Sequence, residues 1–222
     1  MPAPRTSPPR HDFRTASSDD VYVGRIVAVR RDEVVMPGRG SGVREIVEHP
    51  GAVAVAALDP DDRVMLIYQY RHAVGRRLWE IPAGLLDRAG EDPLHTARRE
   101  LAEEVGLAAA EWSLLIDVTS SPGFSDESIR IYLARGLTDV GRPDPVTDDE
   151  EVDLETHWVA LADAVAMVFD GTIVDSSTTA AVLAVHALRS GGVRQRPVDA
   201  PWPDRPTRFA ARGGPDPDRG RR

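Results

Sequence analysis

Residues 84–107 read GLLDRAGEDPLHTARRELAEEVGL, and the second half of this stretch reads as one helix with marked ends. Asp92 is a helix cap, and Pro93 suits the first helical position, where a backbone N–H has no partner to lose. Leu94, Ala97, Leu101 and Val105 recur at helical spacing and form one apolar stripe. Gly106 supplies the left-handed stop. Glu100, Glu103 and Glu104 crowd the last turns. At about 100° per residue, Glu100 and Glu104 lie only ~40° apart, and Glu103 lies ~60° from Glu100 on the other side. A helix C-terminus disfavours anions, so a sequence shaped by stability alone avoids this crowding. A divalent cation relieves it. Oxygen-only ligands in a chain without cysteine point to a hard ion, Mg²⁺ or Mn²⁺. On residue types alone, a solvated acidic helix face is the alternative.

Outward from this helix, strands and helices alternate. Val21–Val29 and Glu33–Met36 read as a hairpin with a short polar turn between them. Val43–His49 reads as a strand, and Ala52–Leu58, a continuous apolar run, as a central one. Asp59–Asp62 is a turn, Val64–Tyr70 the next strand, and Pro82 with Gly84 a break. Beyond Gly106, strands are expected at Trp112–Val118, Ile129–Ala134 and Thr156–Val159, and helices at Leu161–Phe169 and Ser177–Leu188. A mixed sheet with helices on its faces follows. No phosphate-binding GxGxxG or GxxxxGK[ST] occurs, so dinucleotide-fold and P-loop readings have no support.

The whole chain of 222 residues is 41% apolar and carries a net charge of −9. It is long enough to bury a core and too apolar to be disordered throughout. All 27 basic residues are arginine, and cysteine is absent, which fits a reducing compartment. The acidic balance argues against non-specific nucleic-acid binding. No apolar core marks a signal peptide in the first 20 residues, and no run suggests a membrane span, so a cytoplasmic protein is expected. Residues 191–222 hold eight Arg against four Asp, with six Pro and five Gly, so this tail carries +4 and the rest of the chain −13. The expected organisation is a disordered tail over 1–19, a strand region over 20–50 serving dimerisation, a catalytic domain over 51–190 and a loosely ordered tail over 191–222. Trp202 and Phe209 in that last tail argue for some docking.

Taken together, Glu91, then seven residues, then Arg99-Glu100-Leu101-x-Glu103-Glu104-x-Gly106-Leu107 resembles the Nudix box, GX5EX7REUXEEXGU with U apolar. Eight of its nine typed positions are in register; the departure is one extra residue between Gly84 and Glu91, in the loop before the helix. Pro122 lies 15 residues past the box, as in the ADP-ribose pyrophosphatase branch of that family. Tyr68-Gln69-Tyr70-Arg71, Leu78–Gly84, Arg44–His49 and the acidic run Asp148–Glu151 are similar to that branch too. The likeness spans about Val21 to Leu188.

The resemblance implies an α/β/α sandwich with a mixed sheet, preceded by an N-terminal antiparallel strand region. It implies Mg²⁺-dependent hydrolysis (Mn²⁺ being the other ion considered) of ADP-ribose to AMP and ribose 5-phosphate by a homodimer. Metal ligands are then Glu100, Glu103 and Glu104 with the Ala83 carbonyl. Arg99 orients Glu103, and Glu91 supports the box geometry. The general base is Glu151, with Glu150 as the alternative. Arg71 contacts the diphosphate; Glu80 lines the nucleoside pocket or pairs with an arginine. Glu127 holds a ribose hydroxyl or a metal-bound water, and Arg44 reaches the adenine. A pyrophosphatase for another nucleotide sugar or dinucleotide is the alternative, because the box does not set specificity. A non-catalytic ADP-ribose sensor ranks last, since the box carboxylates are all present and the tail is too rich in Pro and Gly for a helix-turn-helix.

Overall fold

The computed structural model describes residues 12–38, 40–88, 90–143 and 154–212. The chain divides into two compact units: one takes the chain up to Gly51, Ser121–Glu127 and the segment from Pro201, the other Ala52–Ser120 and Ser128–Ala200.

The first unit is built on a three-stranded antiparallel sheet, β1 (Arg14–Val23), β2 (Ala28–Met36) and β3 (Gly40–Glu48). The hairpin turn falls at 24–27, closed by the Gly24 N–H donating to the Val27 carbonyl at 2.9 Å, not at the polar stretch around 30–32. Arg30 and Asp32 belong to β2 because each has an ionic partner there, and buried charge so compensated sits within a strand. Residues 14–19, expected in the disordered tail, are strand: Arg14 to Asp20 pair along β2.

The second unit holds β4 (Ala52–Ala57), β5 (Arg63–Arg71), β6 (Arg76–Glu80), β7 (Ala83–Leu85), β8 (Leu107–Thr119), β9 (Ser128–Asp139) and β10 (Glu155–Ala160). Its helices are α1 (Pro93–Val105), α2 (Leu161–Phe169) and α3 (Ser176–Arg189). The strands form two sheets, ordered β7-β4-β9-β8 and β10-β5-β6, with β4 and β9 parallel and the other pairs antiparallel. Strand β4 is buried at every position, so both its faces are covered. Ala54, Ala56 and Leu58 join the apolar cluster with Leu161, Ala164, Val182 and Val185 from α2 and α3. Helix α1 packs on β4 as well, and its buried Ala97 and Leu101 stand outside that cluster. Alternate residues of one strand thus serve two helical layers, which is the mixed α/β sandwich.

The predicted helix ends are the observed ones. Asp92 Oδ1 accepts from the Leu94 N–H at 2.9 Å and the His95 N–H at 3.3 Å, and Gly106 closes α1 at φ 68°. The short strands β6 and β7 have no sequence signal; β7 is three residues long and begins right after Pro82. Of the C-terminal segment, the described residues up to 212 are fastened to the protein. In the second unit, Arg196 pairs with Asp117 at 2.9 Å, and Gln195 donates to Ser113 Oγ at 2.6 Å. No described helix is long and apolar enough to cross a membrane.

Candidate active site

Helix α1 turns Glu100 and Glu104 toward strand β7. Glu100 and Glu104 are buried, at 8% and 5% exposure, which is unusual for carboxylates and needs a reason. The Ala83 N–H donates to Glu104 Oε2 at 2.9 Å. The Glu100 carboxylate lies against Gly84: a Cβ there would fall 2.2 Å from Glu100 Cδ and Oε1. So any side chain at the first glycine of the motif would displace the Glu100 carboxylate, and one turn of helix delivers two carboxylates to the Ala83–Gly84 backbone.

Arg99 ties the remaining acids together. Its Nη1 lies 2.7 Å from both Glu100 Oε1 and Glu103 Oε2, and its Nη2 lies 3.4 Å from Glu91 Oε2. Burial opposes the Arg99 charge, but Glu91, Glu100 and Glu103 outweigh it and hold the guanidinium above its ordinary pKa. Burial likewise pushes the Glu91 carboxyl up, and the hydrogen bond from Arg99 reverses this, leaving it below the usual range. His95 Nδ1 sits 3.1 Å from the same carboxylate.

Arg71 and Glu80 form a fork across β5 and β6, with Nε to Oε1 at 3.0 Å and Nη2 to Oε2 at 2.7 Å. Glu80 is buried, while the Arg71 side chain is 39% exposed. Of the two readings of Glu80, pairing with an arginine is the one observed. In the first unit, Glu127 faces His49, with Oε1 3.6 Å from Nε2. Arg44 lies exposed on β3, donating to its neighbour Val43's carbonyl at 2.8 Å and touching the Met36 sulfur. The acidic run with Glu150 and Glu151 lies outside the described residues. Sequence reasoning singled out neither the contact of Gly84 with Glu100 nor His49. The glycine at the head of the box was a signal for the first, and the resemblance of Arg44–His49 to the ADP-ribose pyrophosphatase branch was a signal for the segment that ends in His49.

The family model for the NUDIX domain matches residues 48–181. An ADP-ribose pyrophosphatase of Mycobacterium tuberculosis is 55% identical over 202 residues, covering 91% of this chain and 97% of that protein. A methanol dehydrogenase activator of Bacillus methanolicus is 39% identical over 169 residues, covering 76% of this chain and 90% of that protein. A crystal structure of ADP compounds hydrolase superposes with a TM-score of 0.70 at 21% identity, covering 83% of this chain and 98% of that one; at that identity it speaks for the fold. This chain belongs to the Nudix family of hydrolases.

Nudix hydrolases use divalent metal ions, and the residues here fit one. The donor set is all oxygen, as a hard cation requires. Two of its carboxylates are buried against the same strand, and the Arg99 guanidinium contacts Glu91, Glu100 and Glu103 together. Side-chain positions favour these internal partners: no group of three or more His, Asp or Glu converges as a ligand set among the described residues.

Proposed function

We propose that this protein hydrolyses the diphosphate of ADP-ribose to AMP and ribose 5-phosphate, using Mg²⁺ held by Glu100, Glu103 and Glu104 with the Ala83 carbonyl. The observation that carries the reading is the buried pair Glu100 and Glu104 delivered to the Ala83–Gly84 backbone. The 55% identical relative bearing the name ADP-ribose pyrophosphatase supports the choice of substrate.

Water adds across one P–O bond of the anhydride: its oxygen joins phosphorus, the bridging oxygen leaves with the other phosphate, one proton leaves as the bond forms and the second as the new phosphate monoester ionises near neutral pH. The metal supplies charge neutralisation of the diphosphate oxygens and a lowered pKa for bound water. The protein's own groups orient and accept. Glu151, or Glu150, takes the proton from the attacking water. Arg71, pre-aligned by its fork to Glu80, presents its exposed edge to the diphosphate. Glu127 accepts from a ribose hydroxyl, and Arg44 reaches the adenine. Arg99 holds Glu103 and Glu100 in place through 2.7 Å contacts. The working form is a homodimer acting in the cytoplasm, joined through the N-terminal strand region.

The test is product analysis after incubation with ADP-ribose and Mg²⁺. AMP and ribose 5-phosphate in equal amounts, abolished by EDTA, are expected. Turnover of GDP-sugars but not ADP-ribose would replace the substrate while leaving the chemistry. Binding of ADP-ribose without turnover would overturn the enzyme reading in favour of a sensor.

A further inference from the structure

In the first unit, the end of β3 holds the loop that carries Glu127. The Val47 N–H donates to the Phe124 carbonyl at 2.7 Å, and the Asp126 N–H to the Val47 carbonyl at 3.2 Å. The His49 N–H donates to Asp126 Oδ1 at 2.9 Å, and the Glu127 N–H to Ser125 Oγ at 3.1 Å. Backbone and side chain therefore fix residues 124–127 against one strand end.

The His49 ring completes this arrangement, and its tautomer is set by a neighbour. The Gly51 N–H donates to Nδ1 at 3.1 Å, so Nδ1 is an acceptor and the ring proton sits on Nε2. Nε2 is the atom that faces Glu127 Oε1, at 3.6 Å. The ring is 11% exposed and the Glu127 side chain 27%. We propose that His49 is a positioning residue: anchored by the Gly51 amide, it directs its Nε2–H at Glu127 and fixes the orientation in which that carboxylate accepts a hydroxyl of the substrate. Burial, which lowers the His49 pKa against the opposing charges of Glu127 and Asp126, keeps the ring in this neutral form. The inference rests on the role given to Glu127 above.

Two measurements test it. The first needs no turnover: long-range ¹H–¹⁵N correlation spectra of the full-length protein at pH 7.5. They should show His49 as the Nε2–H tautomer, with its Nε2 resonance moving in Glu127→Gln. An Nδ1–H tautomer, or no response to Glu127→Gln, would overturn the proposal. The second is steady-state kinetics on ADP-ribose. His49→Phe, which keeps ring bulk and loses the donor, should raise KM about tenfold with kcat within about twofold. His49→Gln, which offers an N–H at similar reach, should recover most of that loss. In a Glu127→Gln background, His49→Phe should add little.

A merely structural histidine would lower Tm and leave KM unchanged, and its effect would add to that of Glu127→Gln. If Glu127→Gln raises KM and His49→Phe does not, this inference fails alone. If Glu127→Gln is silent, the assignment of Glu127 fails and takes His49 with it. Absence of ADP-ribose turnover in the unaltered protein would refute the substrate, and the spectra would still decide the tautomer.

Discussion

Two clusters of arginine and carboxylate, one in each unit, use the same side chains to opposite ends. Around Glu48 carboxylates lie against guanidiniums. Glu48 is fully buried, with Arg30 Nε 2.6 Å from Oε1, Arg208 Nε 3.3 Å from the same oxygen and Arg212 Nε 2.6 Å from Oε2. Arg212 also forks onto Asp20 at 2.7 Å, and Arg30 pairs with Asp32. Three guanidiniums meet three carboxylates. Around α1 carboxylates crowd on one helix: the Arg99 guanidinium contacts Glu91, Glu100 and Glu103, and Glu104 lies one turn from Glu100 with a backbone amide on its Oε2. Breaking a buried pair of charges by removing one partner is strongly destabilising, so a cluster like that around Glu48 holds the fold together. Carboxylates crowded at one helix end offer the all-oxygen donors a hard cation takes, which is the use proposed for them above.

That contrast can be broken most sharply at Glu104. Glu104→Gln keeps an acceptor for the Ala83 N–H and removes a charge, so kcat should fall by on the order of 10²–10³. The Tm of the metal-free protein should hold or rise, because like charges are thinned. Steady-state kinetics beside calorimetry checks both. The mirror substitution, Glu48→Gln, leaves three guanidiniums short of their partner and should cost about 3–5 kcal/mol in denaturant unfolding. Its dependence on metal concentration should be unaltered once the protein is folded.

Gly84→Ala sharpens the comparison by acting on geometry instead of charge. The new Cβ meets the tip of the Glu100 side chain, which has to move. Activity should drop at least about tenfold, while stability falls by about 1–3 kcal/mol. Equal losses in Tm and activity with Glu100 still in place would count against the role of that contact.

The smallest expected effect is on acid stability. Glu91 is held below its ordinary 4.5, where burial acting upward is outweighed by Arg99. Asp32 is held below 3.8, where burial is outweighed by Ser18 and Arg30. A carboxylate with a depressed folded pKa contributes stability in full above its unfolded pKa, and loses it as pH falls through the folded one. Stability of the metal-free protein should therefore decline below about pH 4.5, and Glu91→Gln should flatten the upper part of that decline. Thermal melts across pH 3–6 measure it.

Much of this contrast was legible in the sequence, for local reasons. The cap at Asp92, the stop at Gly106 and the spacing of Glu100 and Glu104 are properties of one helix, and periodicity reads one helix well. The cluster around Glu48 was not legible. Glu48, Arg30 and Arg212 are joined only by tertiary structure, and the composition of 191–222 pointed to a loose tail. Arg30 to Asp32 looked like a turn because polar residues ordinarily mark one; Arg30 instead pairs with Asp32 in the same strand and with Glu48 on β3. The strands β6 and β7 escaped for a related reason. They are short and carry charge or glycine, and their pairing with β5 and β4 defines them. Glu127 was singled out by resemblance, but the histidine facing it could be seen only once Val47–Gly51 and 121–127 stood side by side.

The most direct test of the contrast is a Mn²⁺ titration followed by electron paramagnetic resonance, with a methylene-bridged ADP-ribose that water does not cleave. The unaltered protein and Glu48→Gln should both bind Mn²⁺ saturably, and Glu104→Gln should bind at least about tenfold more weakly. Undiminished binding in Glu104→Gln, or its loss in folded Glu48→Gln, would contradict the assignment of the carboxylates on α1 to the metal.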